Sequence, residues 1–286
     1  MNHCERIITD KPLRLLHEIE RSLITTYRKD IFKPFVKAIN EYLLIEPGDK
    51  IAVAISGGKD SLILAKLLQE LKRHNKIPFE LKFISMDPGF LNENRVALEK
   101  NCQSLNIPIE IKESNIFRVI EKIAKEQPCY MCARMRRGFL YKHAQDLGCN
   151  KLALGHHFDD VIETTLLSMF YNGQFKTMVP KLHAENFEGL ELIRPLLLVK
   201  EKDIIRWVKY AGINAMNCGC TVTAEKTASK RREVKELIKT LKKLNPDIDQ
   251  AIFTSATNVN IDAILGYYQG ENKIHFNDLY KERKNK

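Results

Sequence analysis

Apolar positions in the middle of the chain alternate between a strand pattern and a helix pattern. The short apolar run 50–55 contains β-branched residues and is too short for a helix, whereas apolar residues from Leu62 to Leu71 recur at helical spacing. Strands that alternate with helices in this way are typical of a parallel sheet with helices on both faces. We therefore predict an α/β fold, a parallel twisted sheet flanked by helices. Further strands are predicted at 79–85, 107–111, 151–154 and 192–195, and further helices at 93–105, 117–125, 132–147, 159–171 and 201–211.

The two ends of the chain have a different pattern. Apolar residues recur at helical spacing between Pro12 and Leu44, and Pro34 is expected to break or start a helix there. From Ala224 onwards the sequence is basic and helical in pattern, and no further strand is predicted. We divide the chain into an N-terminal helical extension (1–46), an ATP-binding catalytic domain (47–222) and a C-terminal basic helical segment (223–286).

The composition indicates a globular protein with a surplus of positive charge. Of the 286 residues 44% are hydrophobic, and the formal net charge is +10. That charge favours a polyanionic partner, although a basic solubilising surface would have the same composition. No apolar run approaches the roughly 18 residues needed to span a bilayer. The residues after Met1 lack the apolar core of a signal peptide, so we expect a cytoplasmic protein with no membrane partner.

A loop of small, hydroxyl and charged residues joins the first predicted strand to its helix: Ser56, Gly57, Gly58, Lys59, Asp60 and Ser61. Glycines let the backbone approach a phosphate, and the first N–H groups of the next helix face the anion. The serines add hydroxyl donors, and Lys59 adds positive charge. Asp60 would repel phosphate, so we expect it to hold Mg²⁺ that bridges phosphate oxygens. The alternative is an ordinary strand–turn–helix connection with a Ser or Asp cap.

This loop fits neither the G-x-x-x-x-G-K-S/T pattern nor the G-x-G-x-x-G pattern of dinucleotide folds. It resembles the PP-loop of the ATP pyrophosphatase superfamily, whose members split ATP between the α and β phosphates and adenylate an oxygen. The resemblance implies the fold of that superfamily, which is adenine nucleotide alpha hydrolase-like. It also implies that adenine lies near the ends of the first two strands, around Ala54, Ile55 and Met86.

A second loop, from Gly155 to Asp160, follows the predicted strand 151–154 and opens another helix. Its aspartates have the residue type and place of helix caps. Together with the first loop, however, the stretch resembles the second nucleotide motif of the same superfamily. We therefore assign Asp160 to catalysis with Asp60, and Gly155 and Asp159 to the binding of Mg·ATP.

Two close pairs stand out among the seven cysteines: Cys129 and Cys132 form a CxxC, and Cys218 and Cys220 form a CxC. Without an export signal, close-set cysteines are more often metal ligands than disulfides. The spacing leaves a tetrahedral zinc site, an iron–sulfur site and buried packing residues all open. Pro128 predicts a loop before the first pair. The other cysteines are not expected to be ligands: Cys4, Cys102 and Cys149.

Three stretches, from Cys129 to Arg137, from Gly155 to Asp160 and from Arg194 to Ile204, resemble the tRNA 2-thiocytidine synthetases of the TtcA type. The similarity runs from about 51 to 232. In that family three cysteines hold a [4Fe-4S] cluster, two from a CxxC and one near the end of the domain. The fourth iron has no protein ligand, so it can carry sulfide.

The resemblance implies that Cys129 and Cys132 are ligands and that one cysteine of the later pair is the third. The family usually has a CxxC at that later place, whereas this chain has a CxC. We predict Cys220 as the third ligand, with Cys218 as the alternative. If both bind, the cluster is closed.

The function implied is ATP-, Mg²⁺- and iron–sulfur-dependent thiolation of tRNA. The oxygen of an anticodon-loop cytidine, position 32 by the resemblance, attacks the α-phosphate, and cluster-bound sulfide then displaces AMP. The implied partners are tRNA and a sulfur donor, such as a cysteine desulfurase or free sulfide. A homodimer is compatible with the sequence. Arg136 and Arg137 are expected to contact RNA, with ATP phosphate as the alternative. The basic residues around Arg231 are either RNA contacts or a solvated helical face.

Two other functions stay open on the sequence. A tRNA 2-thiouridine synthetase of the same superfamily would differ in its target base. A non-catalytic RNA-binding or redox-sensing protein with a metal site would have no need for both Lys59 and Asp60.

Overall fold

The computed structural model describes residues 9–74, 76–89, 92–114, 116, 128–216 and 225–284, leaving the side chains of 128–130, 132, 133, 225–229 and 282–284 undescribed. Its central sheet has six strands in the order β3-β2-β1-β4-β6-β5, all parallel to their neighbours except β5, which is antiparallel to β6. The strands are β1 (Lys50–Ala54), β2 (Glu80–Asp87), β3 (Ile109–Glu113), β4 (Lys151–Ala153), β5 (Lys181–His183) and β6 (Glu191–Ile193).

Helices precede, connect and follow these strands. The first two flank a short π-helix, Arg28–Phe32, and a 3₁₀ turn, Ile261–Ala263, comes late in the chain. The helices are α1 (Leu16–Ile24), α2 (Lys33–Glu41), α3 (Lys59–Arg73), α4 (Asn92–Ser104), α5 (Pro128–Asp146), α6 (Phe158–Asn172), α7 (Glu201–Ala211), α8 (Glu225–Leu244), α9 (Ile248–Ser255) and α10 (Phe276–Lys284).

Strand β1 is buried on both faces, as a central parallel strand requires. Ile51 and Val53 pack in a cluster with Trp207 of α7, while Ala52 packs in a second cluster with Ala144 of α5. Because successive side chains of a strand point to opposite faces, these clusters are the two layers on either side of the sheet. The predicted α/β class, with a mainly parallel sheet flanked by helices, is confirmed.

The N-terminal helices belong to the first of these layers. Leu23 of α1 and Phe35 of α2 lie in the same cluster as Trp207, and the Trp207 indole donates a hydrogen bond to Ser22 Oγ at 3.2 Å. Pro34 lies in the first turn of α2, where its missing N–H costs nothing. The division of the chain into three parts stays a prediction.

Three predictions about elements are wrong. Residues after 224 include a hairpin, β7 (Gly266–Gln269) with β8 (Asn272–His275), joined by a two-residue turn at Gly270 (φ +62°). Edge strand β5 was missed because it has only three residues and lies among polar ones. Pro128 begins α5 instead of a loop. The predicted helix 117–125 lies wholly outside the described residues. Within the part described, no helix is long and apolar enough to cross a membrane.

Candidate active site

The phosphate loop 56–61 follows β1, and the loop 155–157 follows β4. These strands are neighbours and parallel, so both loops lie at the carboxyl edge of the sheet. The chain leaves β1 towards β2 and β3 and then returns to β4 on the other side. The two loops therefore lie at the topological switch point, where open α/β sheets bind their ligands.

Gly57 and Gly58 shape the phosphate loop in different ways. Gly57 has φ +79°, and a Cβ atom there would lie 2.6 Å from Met216 Sδ. The Met216 N–H donates to the Gly57 carbonyl at 2.9 Å, which ties the segment after α7 to the loop. Gly58 is the extended N-cap of α3. The first N–H groups of α3 have no partner within the helix, so they form an anion site.

The two serines hold the loop together. Ser61 is buried and donates its hydroxyl to the Gly58 carbonyl at 2.9 Å. In turn the Ser56 N–H donates to Ser61 Oγ at 3.2 Å, and the Gly58 N–H donates to Ser56 Oγ at 3.3 Å. These hydrogen bonds fix the shape of the loop before an anion binds. They are separate from any hydrogen bond that a serine hydroxyl would donate to the anion.

Lys59 and Asp60 form a charged pair in the first turn of α3. Lys59 Nζ lies 2.9 Å from Asp60 Oδ2 and 3.1 Å from Glu201 Oε1. Burial lowers the pKa of Lys59, but Asp60 and then Glu201 outweigh it and raise that pKa. Lys59 is therefore a permanent cation beside the loop.

Asp60 Oδ1 is buried and has no hydrogen-bond partner among the described groups. The His157 Nε2 atom is 3.8 Å away from it. Burial raises the pKa of Asp60, and His157 and Lys59 oppose the rise only in part. An unpaired carboxylate oxygen in a buried place is costly, and a bound cation would remove that cost.

This donor arrangement fits Mg²⁺. Groups of three or more His, Cys, Asp or Glu arranged to hold a metal are absent from the described residues. Mg²⁺ usually takes one or two protein carboxylates and completes its shell with water and substrate phosphates. Asp60 Oδ1 is the oxygen that would bind it.

Gly155 brings the second loop against the first. A Cβ atom at Gly155 would lie 3.2 Å from both the Asp60 carbonyl carbon and the Ser61 nitrogen. Real Cβ atoms seldom approach backbone that closely, since side chains and backbone need ordinary packing distances. Gly155 therefore allows close contact between the two motifs.

Asp160 has two partners, one for each oxygen. Its Oδ2 accepts the His157 N–H at 2.9 Å in a capping box at the start of α6, and its Oδ1 accepts Arg231 Nη2 at 2.6 Å. Burial alone would raise the pKa of Asp160, but His157 and Arg231 hold it below its usual value. Asp160 is thus an ionised carboxylate at the sheet edge as well as a helix cap.

Asp159 has a different partner. Its Oδ2 accepts the Glu201 N–H at 2.7 Å, in the first turn of α7. The contact joins two segments 42 residues apart and satisfies one N–H that has no partner in α7. Of the two aspartates, Asp160 caps their own helix and Asp159 caps another.

Helix α8 contributes two cations to the site, although its sequence is equally compatible with a solvated face or with RNA contacts. Arg231 Nε donates to Glu163 Oε2 at 2.6 Å, and Lys235 Nζ donates to Glu201 Oε2 at 2.7 Å. Burial opposes ionisation of Glu201, yet Lys59 and Lys235 lower its pKa to about 2. The spacing of 231 and 235, one turn apart, was the only signal that both face the same way.

His156 lies in the second loop, and the sequence by itself gives it no role. Its Nδ1 is buried without a hydrogen-bond partner among the described groups. Burial lowers the pKa of His156 to about 4, so the ring is neutral at pH 7. A neutral imidazole at this edge can accept or donate one hydrogen bond to a ligand.

The remaining predicted residues are spread along the same edge and beyond it. Ile55 and Met86 are buried and Ala54 half-buried at the ends of β1 and β2, while Arg136 and Arg137 lie on α5. The structure describes the helical backbone of Cys129 and Cys132, in the first two turns of α5, but not their side chains. Cys218 and Cys220 lie outside the described residues. Two other cysteines are buried in the core: Cys102 and Cys149.

Known proteins whose sequences are similar to this chain identify the family to which its two loop motifs belong. The PP-loop domain family (ATP_bind_3) matches residues 26–217. The tRNA-cytidine(32) 2-sulfurtransferase of Neisseria meningitidis is 37% identical over 227 residues, which cover 78% of this chain and 69% of that protein. The protein of the same name from Citrifermentans bemidjiense is 39% identical over 230 residues, covering 78% and 88%.

The fold has a solved counterpart in the U34-tRNA thiolase NcsA of Methanococcus maripaludis, solved with its [4Fe-4S] cluster. The TM-score is 0.65 at 22% sequence identity, and the likeness covers 86% of each chain. That identity supports the fold alone, whereas the closer sequence relatives identify the family. The chain belongs to the PP-loop family and, within it, to the tRNA-cytidine(32) 2-sulfurtransferases.

Proposed function

We propose that this chain is an ATP-dependent, iron–sulfur-dependent tRNA sulfurtransferase that converts cytidine 32 to 2-thiocytidine. The observation that carries the proposal is the pairing of two features at one sheet edge. One is the phosphate loop, which carries the buried Asp60 Oδ1 that has no hydrogen-bond partner among the described groups. The other is the CxxC motif at the start of α5. The relatives named for this activity supply the target base.

The phosphate loop would bind ATP through backbone N–H groups and Lys59. Lys59 forms ion pairs with Asp60 and Glu201. A small movement of its side chain would exchange one of these pairs for a bond to a phosphate oxygen. Asp60 would hold Mg²⁺, which when bound neutralises charge on the phosphates and on the leaving pyrophosphate. Glu201 stays ionised throughout and keeps Lys59 oriented.

Two separate segments of the chain, the start of α5 and the segment after Met216, carry the cysteines that we propose as cluster ligands. Helix α5 follows β3 in the chain and packs against Met86 near the end of β2, and its first turn comes from the carboxyl edge of the sheet. Cys129 and Cys132 are three residues apart, so both lie on one face of α5. Cys218 and Cys220 lie outside the described residues, but in the sequence they come soon after Met216, whose N–H is bonded to the phosphate loop.

The cysteine set suits an iron–sulfur cluster, which when bound supplies an iron site that holds and delivers sulfide. In the reaction the cytidine O2 attacks the α-phosphorus of ATP, and pyrophosphate leaves. Sulfide then attacks C2 of the adenylated base, the C–O bond breaks and AMP leaves, so that C=S replaces C=O. We propose that His156, whose Nδ1 has no hydrogen-bond partner among the described groups, and Asp160 contact the base.

Three finer points belong to the same proposal. We propose a cysteine desulfurase or free sulfide as the sulfur donor. The protein acts in the cytoplasm, where its tRNA substrate is found. A homodimer is the assembly we propose to test first, by measuring mass in solution.

The test is reconstitution of anaerobically purified enzyme with Mg·ATP, sulfide and unmodified tRNA. We expect 2-thiocytidine in the digested tRNA, with AMP and pyrophosphate as co-products. Thiouridine in place of thiocytidine would favour the 2-thiouridine enzymes. Release of ADP would contradict cleavage between the α and β phosphates. Binding of tRNA without any thiolation would favour the non-catalytic RNA-binding protein.

A further inference from the structure

A cavity of about 480 Å³ lies away from the phosphate loop, between α5 and the hairpin of β5 and β6. None of the motifs assigned above uses it as a cavity. Helix α5 contributes arginines and a tyrosine, and the connection after β5 contributes polar residues and a phenylalanine. The residues that matter here are Arg134, Arg137, Tyr141, Glu185, Asn186 and Phe187.

Helix geometry connects this cavity with the CxxC motif. Arg134, Arg137 and Tyr141 are spaced by three and four residues, so they lie along one face of α5. Arg134 comes two residues after Cys132, and Tyr141 comes about 14 Å further along the helix axis than Cys132. A ligand chain held at the CxxC end could therefore continue along this face into the cavity.

The cavity combines cationic and aromatic surfaces. Arg134 and Arg137 are exposed side chains that line the cavity. Tyr141 is half-buried, and its ring meets the Phe187 ring edge to face, with centroids 5.4 Å apart and an interplanar angle of 88°. Guanidinium groups bind phosphate, and aromatic rings stack with bases that are not paired.

Two further side chains of the cavity carry groups that can form hydrogen bonds with the edge of a base. Glu185 and Asn186 are exposed at the rim, in the connection between the two strands. A carboxylate can accept from an exocyclic amino group of a base, and an amide can both donate and accept. A bare phosphate would be repelled by Glu185, so the mixture of groups fits a whole nucleotide better than an inorganic anion.

We propose that this cavity binds an unpaired nucleotide of the substrate RNA other than the thiolated one, with its phosphate on Arg134 and Arg137 and its base against Tyr141 and Phe187. The inference rests on the proposed function in one respect, that the substrate is RNA. It adds a second RNA-binding site, which would fix the register of the anticodon loop while the target base lies at the carboxyl edge of the sheet.

Binding of fluorescent unmodified tRNA to the full-length enzyme with its cluster tests the site. Arg134→Gln should weaken tRNA binding about tenfold and lower the slope of log affinity against log salt by about 1, because one phosphate contact is lost. Phe187→Ala should weaken binding about tenfold with the slope unchanged, because a stacked base is lost. ATP affinity should stay the same in both variants.

The matched control is Lys142→Gln, on the same helix. It removes the same charge, but Lys142 is exposed, pairs with Asp146 and does not line the cavity. If Arg134→Gln binds and thiolates tRNA as Lys142→Gln does, the cavity proposal is wrong and the proposed function stands. Wild-type enzyme that neither binds nor thiolates tRNA overturns both.

A photo-crosslinking residue in place of Phe187 gives a direct readout. A crosslink to a nucleotide of the tRNA anticodon loop supports the proposal. A crosslink only to an added protein sulfur donor, or to added CMP but not to tRNA, overturns it. The same residue in place of Lys142 should give no crosslink to the anticodon loop.

Discussion

Gly155 lies so close to Asp60 that a Cβ atom on Gly155 would come within 3.3 Å of the Asp60 Cβ. Two segments that are far apart in the sequence thus share one small volume at the sheet edge. The contact explains why the second motif opens with glycine. A side chain at position 155 would push the first turn of α3, which carries Asp60, away from the loop after β4.

Gly155→Ala should therefore separate the two motifs. We expect weaker ATP binding and a loss of roughly 1–3 kcal/mol in the free energy of unfolding, as for other overpacked sites. Calorimetric ATP titration and urea denaturation measure the two effects. Gly138→Ala is the control, since a Cβ atom there meets nothing within 4 Å; unchanged ATP affinity in Gly155→Ala would contradict the close packing.

Asp60→Asn keeps the shape of the side chain and removes its charge. We expect AMP and pyrophosphate formation to fall by at least about a hundredfold, because electrostatic stabilisation of the transferring phosphate is lost. The assay is release of pyrophosphate with Mg·ATP and tRNA. Mg²⁺ should raise the unfolding temperature of the wild type but not of the variant, and equal shifts in both would rule out Asp60 as the ligand.

The pH dependence of Asp60 gives a second check on the same variant. Burial raises its pKa in the folded state, so the folded protein holds that proton more tightly than the unfolded chain does. The contribution of Asp60 to stability is therefore present at acid pH and is lost as pH rises through the raised pKa. Without Mg²⁺, Asp60→Asn should gain stability relative to the wild type over that rise.

Glu201 has the opposite sign. Its pKa of about 2 is below the ordinary value of 4.5, because Lys59 and Lys235 outweigh burial. Its contribution is present above pH 4.5 and is lost as pH falls from 4.5 to about 2. Glu201→Gln should lower the free energy of unfolding by up to about 3 kcal/mol at pH 7 and by much less near pH 2. Urea denaturation at several pH values measures it, and a pH-independent difference would contradict the ion pairs.

Arg231 connects α8 to two carboxylates of α6. Arg231→Gln should leave Glu163 buried without its cation, and we expect a loss of about 1–2 kcal/mol in stability, since the arginine is itself 45% exposed. ATP turnover should fall as well, because Asp160 loses its partner. Lys239→Gln, on an exposed part of α8, is the control for charge. Equal stability of the two variants would show that Arg231 is not an anchor.

The proposed cysteine ligands predict that the purified protein is coloured by its iron–sulfur cluster. Anaerobically purified protein should be brown, with iron and acid-labile sulfide, and Cys129→Ala or Cys132→Ala should bleach it. Colourless protein with stoichiometric zinc would favour a structural zinc site. Comparison of Cys218→Ala with Cys220→Ala identifies the third ligand; loss of the cluster in both would mean that both thiols bind.

Much of the fold could be predicted from local patterns. The run 50–55 is apolar on both faces because β1 is covered on both, and the helix after it has apolar residues at helical spacing. By contrast, β5 has three residues and no local signal strong enough to separate it from a loop. It pairs because β6 presents an open edge beside it.

The site divides in the same way. The sequence by itself determined the phosphate loop, the aspartates and the paired cysteines, because glycine next to hydroxyl and charged residues after a buried strand is local information. Only the tertiary structure decided the partners of those residues: Arg231 on Asp160, Glu201 on Lys59, and the N–H of Glu201 on Asp159. Those contacts join segments up to 142 residues apart in the chain, from Lys59 to Glu201. Their energy comes from burial and from charges brought together by folding, which no local pattern in the sequence records.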